Sequence, residues 1–380
     1  MLAVRAVPYW RLSAFYLLYF ASLGALIPYW GLYLRAQGLD AAAIGTLMAV
    51  LAGTKIVAPN LWGWIADHAG VRMGIVRLGA LAAAVCFAGV FAGSGYGWLL
   101  LVTAAFSFFW NAVLPQFEAT TLGHLGEHSH RYAHVRLWGS VGFIVAVGAL
   151  GRLLDRHGPA LLPGVILGLL AGIWLASLLV PERAGAGGDG ARAGAAAVLR
   201  RPAVLALLAV VFLMQASHGP YYAFYTLYLV DHGYSREAAG WLWSLGVVAE
   251  IGVFLVMHRL LARYGARAIL IASLWLAAAR WLLIAGLAEQ PVVLVLAQTL
   301  HAASFGSYHG AAMHLIQRHF PDGWEGRGQA LYSSLSFGAG GAVGSLAAGH
   351  LWGSVGPEAT YALAGLVAAC GALVAGRWLR

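Results

Sequence analysis

Four ionisable residues that interrupt long apolar runs are the groups in this sequence with the clearest capacity for chemistry. They are His218, Glu250, Arg280 and His301. If each run is a helix, residues equally far from the turn between two neighbouring helices lie at the same depth. Reflection about turns near positions 234, 265 and 290 pairs the first with the second, the second with the third, and the third with the fourth. We therefore predict that the four side chains share one level.

These residue types can handle both charge and protons. A carboxylate beside a guanidinium can be neutralised by it, and a histidine nearby can titrate near neutral pH. Ionisable groups are expensive inside apolar helices, so each is a functional candidate by default. We predict that His218, Glu250, Arg280 and His301 couple to protons and that Arg280 also binds substrate. The alternative is a structural ion pair with two core histidines.

A second set of candidate binding residues lies in the first half of the sequence. Lys55 is the only lysine and lies about fifteen residues from its loop. Glu118 and Arg136 flank the loop around position 127 at equal distances, so they also share a depth. The alternatives are that Lys55 extends to an interface and that Glu118 and Arg136 form an interfacial salt bridge.

Gln215 and Tyr222 are further substrate-binding candidates, although packing explains such tyrosines equally well. Four histidines crowd the segment 124–134, but no cysteine or paired carboxylate accompanies them, so we predict a solvated loop and no metal site. The sequence contains no nucleophile elbow, phosphate loop or HExxH motif. We therefore expect no enzymatic activity, and no cofactor other than a proton gradient.

The elements that position these residues are predicted from hydropathy. The chain of 380 residues is 61% hydrophobic and 10% charged, whereas a soluble domain is roughly 25% charged. So much apolar surface requires lipid as part of the solvent. We predict an all-α membrane protein with twelve transmembrane helices, at 12–34, 41–66, 73–93, 97–123, 132–154, 161–180, 203–230, 237–259, 267–288, 291–317, 328–352 and 358–377.

The net charge is +9, and the arginines behind it are distributed unevenly between the two sides of the membrane. If both termini are cytoplasmic, seventeen arginines fall in cytoplasmic segments and four on the other side. This distribution follows the positive-inside rule and makes nucleic acid an unsuitable partner. We expect a multi-pass protein of a bacterial inner membrane, with its first apolar run as a span rather than a cleaved signal.

The two halves of the sequence repeat with a shift of 195 residues. Gly70 falls on Gly265, Arg72 on Arg267, and Lys55 on Glu250. Equivalent segments start on the same side, which indicates a parallel repeat. We predict six-helix halves at 1–180 and 202–380, joined by a cytoplasmic linker at 181–201. This is the plan of the major facilitator fold, with substrate held between the halves.

The loop after the second span resembles the facilitator signature GxLaDrxGrr through Gly63, Asp67, Gly70 and Arg72. Gly70 permits a tight turn, and Asp67 can pair with Arg72. We predict a conformational gate here. The second copy has Ala262 in place of the aspartate, so a gating charge belongs to the first half.

Several runs resemble the 3-phenylpropionate transporter family across nearly the whole chain. They are Tyr132–Val141, Gln215–Tyr222, Gly240–Glu250, Arg280 with Trp281, and His301. The resemblance implies a proton-coupled facilitator, with an aromatic carboxylate as one substrate. The layout is also similar to the lactose/proton symporter, which implies sugar contacts for Glu118 and Arg136. It likewise implies binding and proton coupling for Glu250, Arg280 and His301.

One departure from the lactose symporter matters. That protein has an acidic residue three positions after the histidine, where this chain has Ser304. The proton carrier is therefore left open between Glu250 and a histidine.

We predict proton-coupled uptake of a small organic solute by alternating access. The partners are the solute, the proton and membrane lipid, with no obligate protein partner. The alternatives are a sugar, oligosaccharide or nucleoside symporter, or an efflux antiporter of drugs or metabolites. A sensor is disfavoured because the linker is too short for a signalling domain.

Overall fold

The computed structural model describes residues 7–183, 198–320 and 324–379, and regular structure in these ranges is helical. The helices are α1 Tyr9–Ala36, α2 Ala41–Ala69, α3 Arg72–Ala88, α4 Tyr96–Leu125, α5 Tyr132–His157, α6 Leu162–Leu178, α7 Pro202–Ser217, α8 Gly219–Asp231, α9 Arg236–Tyr264, α10 Ala266–Leu287, α11 Pro291–His301, α12 Ser307–His319, α13 Glu325–Ser333, α14 Gly341–Ser354 and α15 Pro357–Trp378. Most of the predicted linker, residues 184–197, lies outside the described ranges.

Every predicted span overlaps helical structure. Nine helical stretches within the described residues are long and apolar enough to cross a membrane. One of them, Tyr96–His157, covers predicted spans four and five, whereas spans ten and eleven are not among the nine. The count of twelve therefore stays a prediction.

Loop glycines end the helices at equivalent places in the two halves. Gly38 and Gly233, which are 195 residues apart, both have φ of +84°. Gly70 and Gly265, matched by the same shift, have φ of +68° and +75°. A side chain disfavours this left-handed backbone, so glycine permits each tight turn. The repeat seen in the sequence is thus a repeat in backbone conformation.

Three predicted spans are interrupted. Span seven breaks at His218, because Pro220 lacks an N–H group and its ring clashes with the carbonyl one turn earlier. Span ten contains a π-helical segment at Ala302–Gly306, and span eleven contains another at Ser334–Gly340. Such segments are rare and occur often at functional sites. The uniform apolar runs did not predict these interruptions.

Contacts divide the described residues into two compact units. The first unit lies within Met1–Trp30 and Val57–Gly188, and the second lies within Gly31–Ile56 and Asp189–Arg380. Residues 31–56, which belong to the first half of the repeat, therefore group with the second half by contact. Within the second unit, Gly45 of α2 crosses α14 so closely that a Cβ atom would lie 2.6 Å from the Cα of Gly349.

Candidate functional site

Arg280 is the centre of the polar cluster in the second unit, and its side chain is fully buried on α10. Its Nε donates to the Ala297 carbonyl at 2.9 Å, and its Nη1 donates to His301 Nδ1 at 3.0 Å. Its Nη2 donates to Gln298 Oε1 at 3.3 Å. These three acceptors lie on α11 and all are neutral. One helix face therefore holds the guanidinium without neutralising it.

The bond from Arg280 fixes the proton on His301. A guanidinium has only donors, so His301 Nδ1 must present its lone pair. The neutral ring then carries its proton on Nε2. Protonation of His301 at Nδ1 and acceptance of the bond from Arg280 are mutually exclusive.

An aromatic wall surrounds the guanidinium. Its central carbon lies 4.3 Å from the centroid of the Tyr221 ring and 4.5 Å from that of Trp281. Trp243 packs on Tyr221 with centroids 4.3 Å apart. Cation–π attraction to these rings is stronger where water is excluded. The wall stabilises a buried positive charge.

His218 lies at the break between α7 and α8. Its Nδ1 is 2.8 Å from the Met214 carbonyl, which can only accept, so Nδ1 carries the proton. Its Nε2 is buried, without a hydrogen-bond partner among the described residues. The ring lies 6.3 Å from that of His301 and stacks near Tyr222 at 5.9 Å. The two histidines thus have opposite tautomers.

Glu250 of α9 packs against Gly306 of the first π-helical segment. A Cβ atom at Gly306, in the π segment, would lie 3.0 Å from the Glu250 Cγ. One turn earlier on α9, a Cβ atom at Gly246 would lie 3.3 Å from Gln298 Oε1. The carboxylate interacts electrostatically with Tyr221 and Tyr222.

Three of the four polar residues predicted to share one level lie close together in this unit. Arg280 and His301 are hydrogen-bonded, and His218 is near His301. Gln215 is 3% exposed, and its Oε1 has no partner within the described ranges. Tyr222 is partly exposed, whereas Tyr221 and Tyr225 are buried in the wall.

Lys55 lies on the part of α2 that groups with the second unit. Its neighbours Ala52 and Ile56 approach Gly341 and Gly338, at the end of the second π segment. Lys55 is half-buried and has no hydrogen-bond or ion-pair partner in the described part of the chain. Its ammonium group therefore has donors that no described residue uses.

The first unit contains a second polar pair. Arg136 Nε lies 3.8 Å from Glu118 Oε1, and the two side chains are 31% and 36% exposed. The Tyr132 hydroxyl donates to the same carboxylate at 3.1 Å, and the Arg136 guanidinium lies 3.7 Å above the Phe20 ring. This ion pair is loose and partly open, so its donors and acceptors can take a third polar group.

The loop between α2 and α3 has the arrangement that its motif predicts. Arg72 Nη2 donates to Asp67 Oδ1 at 2.6 Å, and Gly70 makes the turn. A Cβ atom at Gly63 would lie 3.3 Å from Gln116 Nε2, so the Gln116 side chain of α4 packs against α2 there. In the second copy, Arg267 instead donates to the Gly376 carbonyl at 2.7 Å.

Two glycines that support this cluster were not identified from the sequence, and Gln298 was identified only as a polar residue that could line a cavity. In the structure Gln298 accepts a hydrogen bond from Arg280, and Gly246 and Gly306 allow α9 to approach. The available signal was helical spacing, because Gln298 lies three residues before His301 and Gly246 lies four before Glu250. In residues 7–183, 198–320 and 324–379, no group of three His, Cys, Asp or Glu side chains could hold a metal ion.

Comparison with known proteins identifies the class. The sequence matches the family described as "MFS_1 like family" over residues 9–363. It is 32% identical over 349 residues to the "Probable 3-phenylpropionic acid transporter" of Escherichia coli strain K12, covering 89% of both chains. It is 30% identical over 344 residues to the "Maltose permease" of Geobacillus stearothermophilus, covering 89% of this chain and 86% of the permease. The chain belongs to the MFS_1 like family, so it is a multi-pass membrane transporter of the major facilitator superfamily.

Solved structures share this fold. The nucleoside transporter NupG superposes with a TM-score of 0.83 at 16% identity, covering 98% of this chain and 99% of that one. A bacterial homologue of the human lysosomal transporter Spinster, in an inward-facing and unoccupied conformation, gives 0.74 at 15% identity. It covers 100% of this chain and 98% of that one. The prediction of an all-α major facilitator fold is confirmed.

Proposed function

We propose that this transporter is a proton-coupled symporter that takes up an aromatic carboxylate by alternating access. The observation that carries the proposal is the buried Arg280, whose three hydrogen-bond acceptors are all neutral. A buried cation held in this way can bind an anionic group, and the rings around it can bind an aromatic body. Lys55 adds a second available cation.

The direction of coupling follows from charge. While Glu250 is ionised, its negative charge opposes the entry of an anion near Arg280. Protonation of Glu250 removes that charge, so proton and anion bind better together than separately. Cooperative binding of both ligands favours symport over exchange.

We propose a bacterial inner-membrane location with both termini cytoplasmic, because the arginine distribution follows the positive-inside rule. The turn between α1 and α2 then lies on the outer side. Close packing of α2 on α14, together with the ion pair between Arg35 and Asp231 at 2.6 Å, would keep that side closed. These contacts must open before a solute enters from outside.

A second candidate is a sugar or nucleoside symporter. The loose Glu118–Arg136 pair favours it, because a carboxylate and a guanidinium together can bind vicinal hydroxyls. Similarity to a maltose permease and to a nucleoside transporter also supports it. An efflux antiporter is the remaining alternative.

Transport by purified protein in liposomes tests these proposals. We expect 3-phenylpropionate, rather than maltose or uridine, to drive alkalinisation of the outer medium. Acidification on adding solute would instead indicate antiport. We expect Glu250→Gln to lose uphill uptake but keep exchange, and the exposed control Glu289→Gln to retain both. Normal uphill uptake by Glu250→Gln would overturn the role of Glu250.

A further inference from the structure

We propose that Gln298 is a positioning residue that aims Arg280 while leaving its charge available for the anionic group of the substrate. The inference rests on the proposed function, since it requires an anionic substrate. Gln298, like Arg280, is completely buried in this conformation. Gln298 is hydrogen-bonded to Arg280 and Tyr221, so its proposed effect on substrate binding passes through these two residues.

One oxygen atom of Gln298 ties three helices together. Its Oε1 accepts from the Tyr221 hydroxyl of α8 at 3.0 Å and from Arg280 Nη2 of α10 at 3.3 Å. An amide oxygen has two lone pairs, and both are used. The same tyrosine presents its ring 4.3 Å from the guanidinium carbon. The hydroxyl bond and the ring contact therefore fix the same two groups together.

The amide differs from a carboxylate here in charge. A carboxylate at this position would form a stronger, charge-assisted bond with Arg280. It would also neutralise the guanidinium that the substrate needs. The Gln298 Nε2 has no hydrogen-bond partner among the described residues, although Tyr225 lies nearby. The Gln298 oxygen therefore makes the observed contacts, and an amide suits this position because it supplies that oxygen without a negative charge.

Gly246 of α9 packs against Gln298 and His301, the two side chains that accept hydrogen bonds from Arg280. A Cβ atom there would lie 3.3 Å from both Gln298 Oε1 and His301 Cδ2. That distance is tighter than ordinary van der Waals contact, so an added methyl group would displace both acceptors by a few tenths of an ångström. The glycine allows the backbone of α9 to back the two side chains that hold Arg280.

Two substitutions in the full-length protein separate positioning from packing. Gln298→Glu keeps the shape and adds a charge, whereas Gln298→Leu removes the acceptor. The probes are 3-phenylpropionate and its neutral amide, measured by equilibrium binding, with thermal unfolding in parallel. For Gln298→Leu we expect the affinity for the anion to fall about tenfold or more, because a bond to a charged group is lost.

For Gln298→Glu we expect an even larger loss for the anion, little loss for the amide, and a melting temperature at or above that of the parent. A purely structural role would weaken both ligands equally and in step with stability. Gly246→Ala should shift the preference between anion and amide in the same direction by a smaller factor. Its matched control on α9 is Gly252→Ala, where a Cβ atom meets nothing within 4 Å.

The outcomes distinguish the two proposals. If the parent protein does not bind 3-phenylpropionate, the proposed function fails and this inference fails with it. If the parent binds it and Gln298→Glu keeps the preference for the anion, this inference alone is overturned. Equal loss of both probes in both Gln298 variants would also overturn it.

Discussion

Packing between α2 and α14 makes a quantitative prediction through two glycines of α2. A Cβ atom at Gly45 would lie 2.6 Å from the Gly349 Cα and 2.7 Å from the Ser345 carbonyl oxygen. At Gly53, which faces the same helix, it would lie 3.8 Å from the Ala342 Cβ, an ordinary contact. Carbon atoms pack at about 3.5–4.0 Å, so Gly45→Ala must separate the helices by about 1 Å.

The magnitude follows from comparing the two substitutions. Each replaces a glycine within α2 and gains up to about 1 kcal/mol of helix propensity, so most of this term cancels between them. Only Gly45→Ala incurs overpacking, which costs about 1–3 kcal/mol. If this packing holds one side of the transporter closed, the overpacking energy of Gly45→Ala favours the state in which that side is open. The ratio of open to closed protein then rises by about 5- to 150-fold.

Two measurements check this prediction. Thermal unfolding in detergent should show Gly53→Ala at least as stable as the parent and Gly45→Ala less stable. Spin labels at Gln37 and His232, with both native cysteines replaced by serine, should report a larger long-distance population only for Gly45→Ala. Identical melting temperatures and identical distance distributions for the two variants would refute the reasoning.

Two other contacts in the second unit should affect stability, one weakly and one strongly. Asp231→Asn removes the ion pair with Arg35. The Asp231 side chain is 49% exposed and that of Arg35 is 40% exposed, so we expect a stability change below about 1 kcal/mol that vanishes in high salt. Gly344→Ala places a methyl group against the backbone of Ala216, so we expect a loss of folded protein by size-exclusion chromatography. Gly353→Ala meets nothing within 4 Å and should remain folded. Intact Gly344→Ala would contradict this packing.

The sequence predicted depth well because depth depends only on helical rise. Arg280 and His301 were placed at one level by counting from a turn, and they are hydrogen-bonded. Apolar runs likewise predicted which segments are helical, and shared glycines predicted the equivalent turns. These features depend on distance along a helix axis, which residue number measures directly.

The face of a helix on which a side chain lies was less predictable from the sequence. The π segment at Ala302–Gly306 changes the turn directly after His301, so the face seen by later residues no longer follows a 3.6-residue period. The break at His218 has a similar effect on span seven. The two-donor contact of Gln298 depends on three helices meeting, and no local pattern encodes such a contact.

The hydrogen bond between Arg280 and His301 also separates the two candidate proton carriers. His301→Gln offers a side-chain oxygen that can accept from Arg280 but cannot be protonated near neutral pH. If Glu250 carries the proton, this variant should keep proton-driven uptake, with a raised KM where the new acceptor is misplaced.

The two variants should therefore differ, with Glu250→Gln limited to exchange and His301→Gln still accumulating solute. Accumulation against a gradient measures this directly, and stability of both variants must be matched first. If His301→Gln performs exchange alone while Glu250→Gln accumulates, the proton belongs to His301. Binding of the proton to His301 would then release Arg280, because the protonated ring can no longer accept the hydrogen bond from the guanidinium.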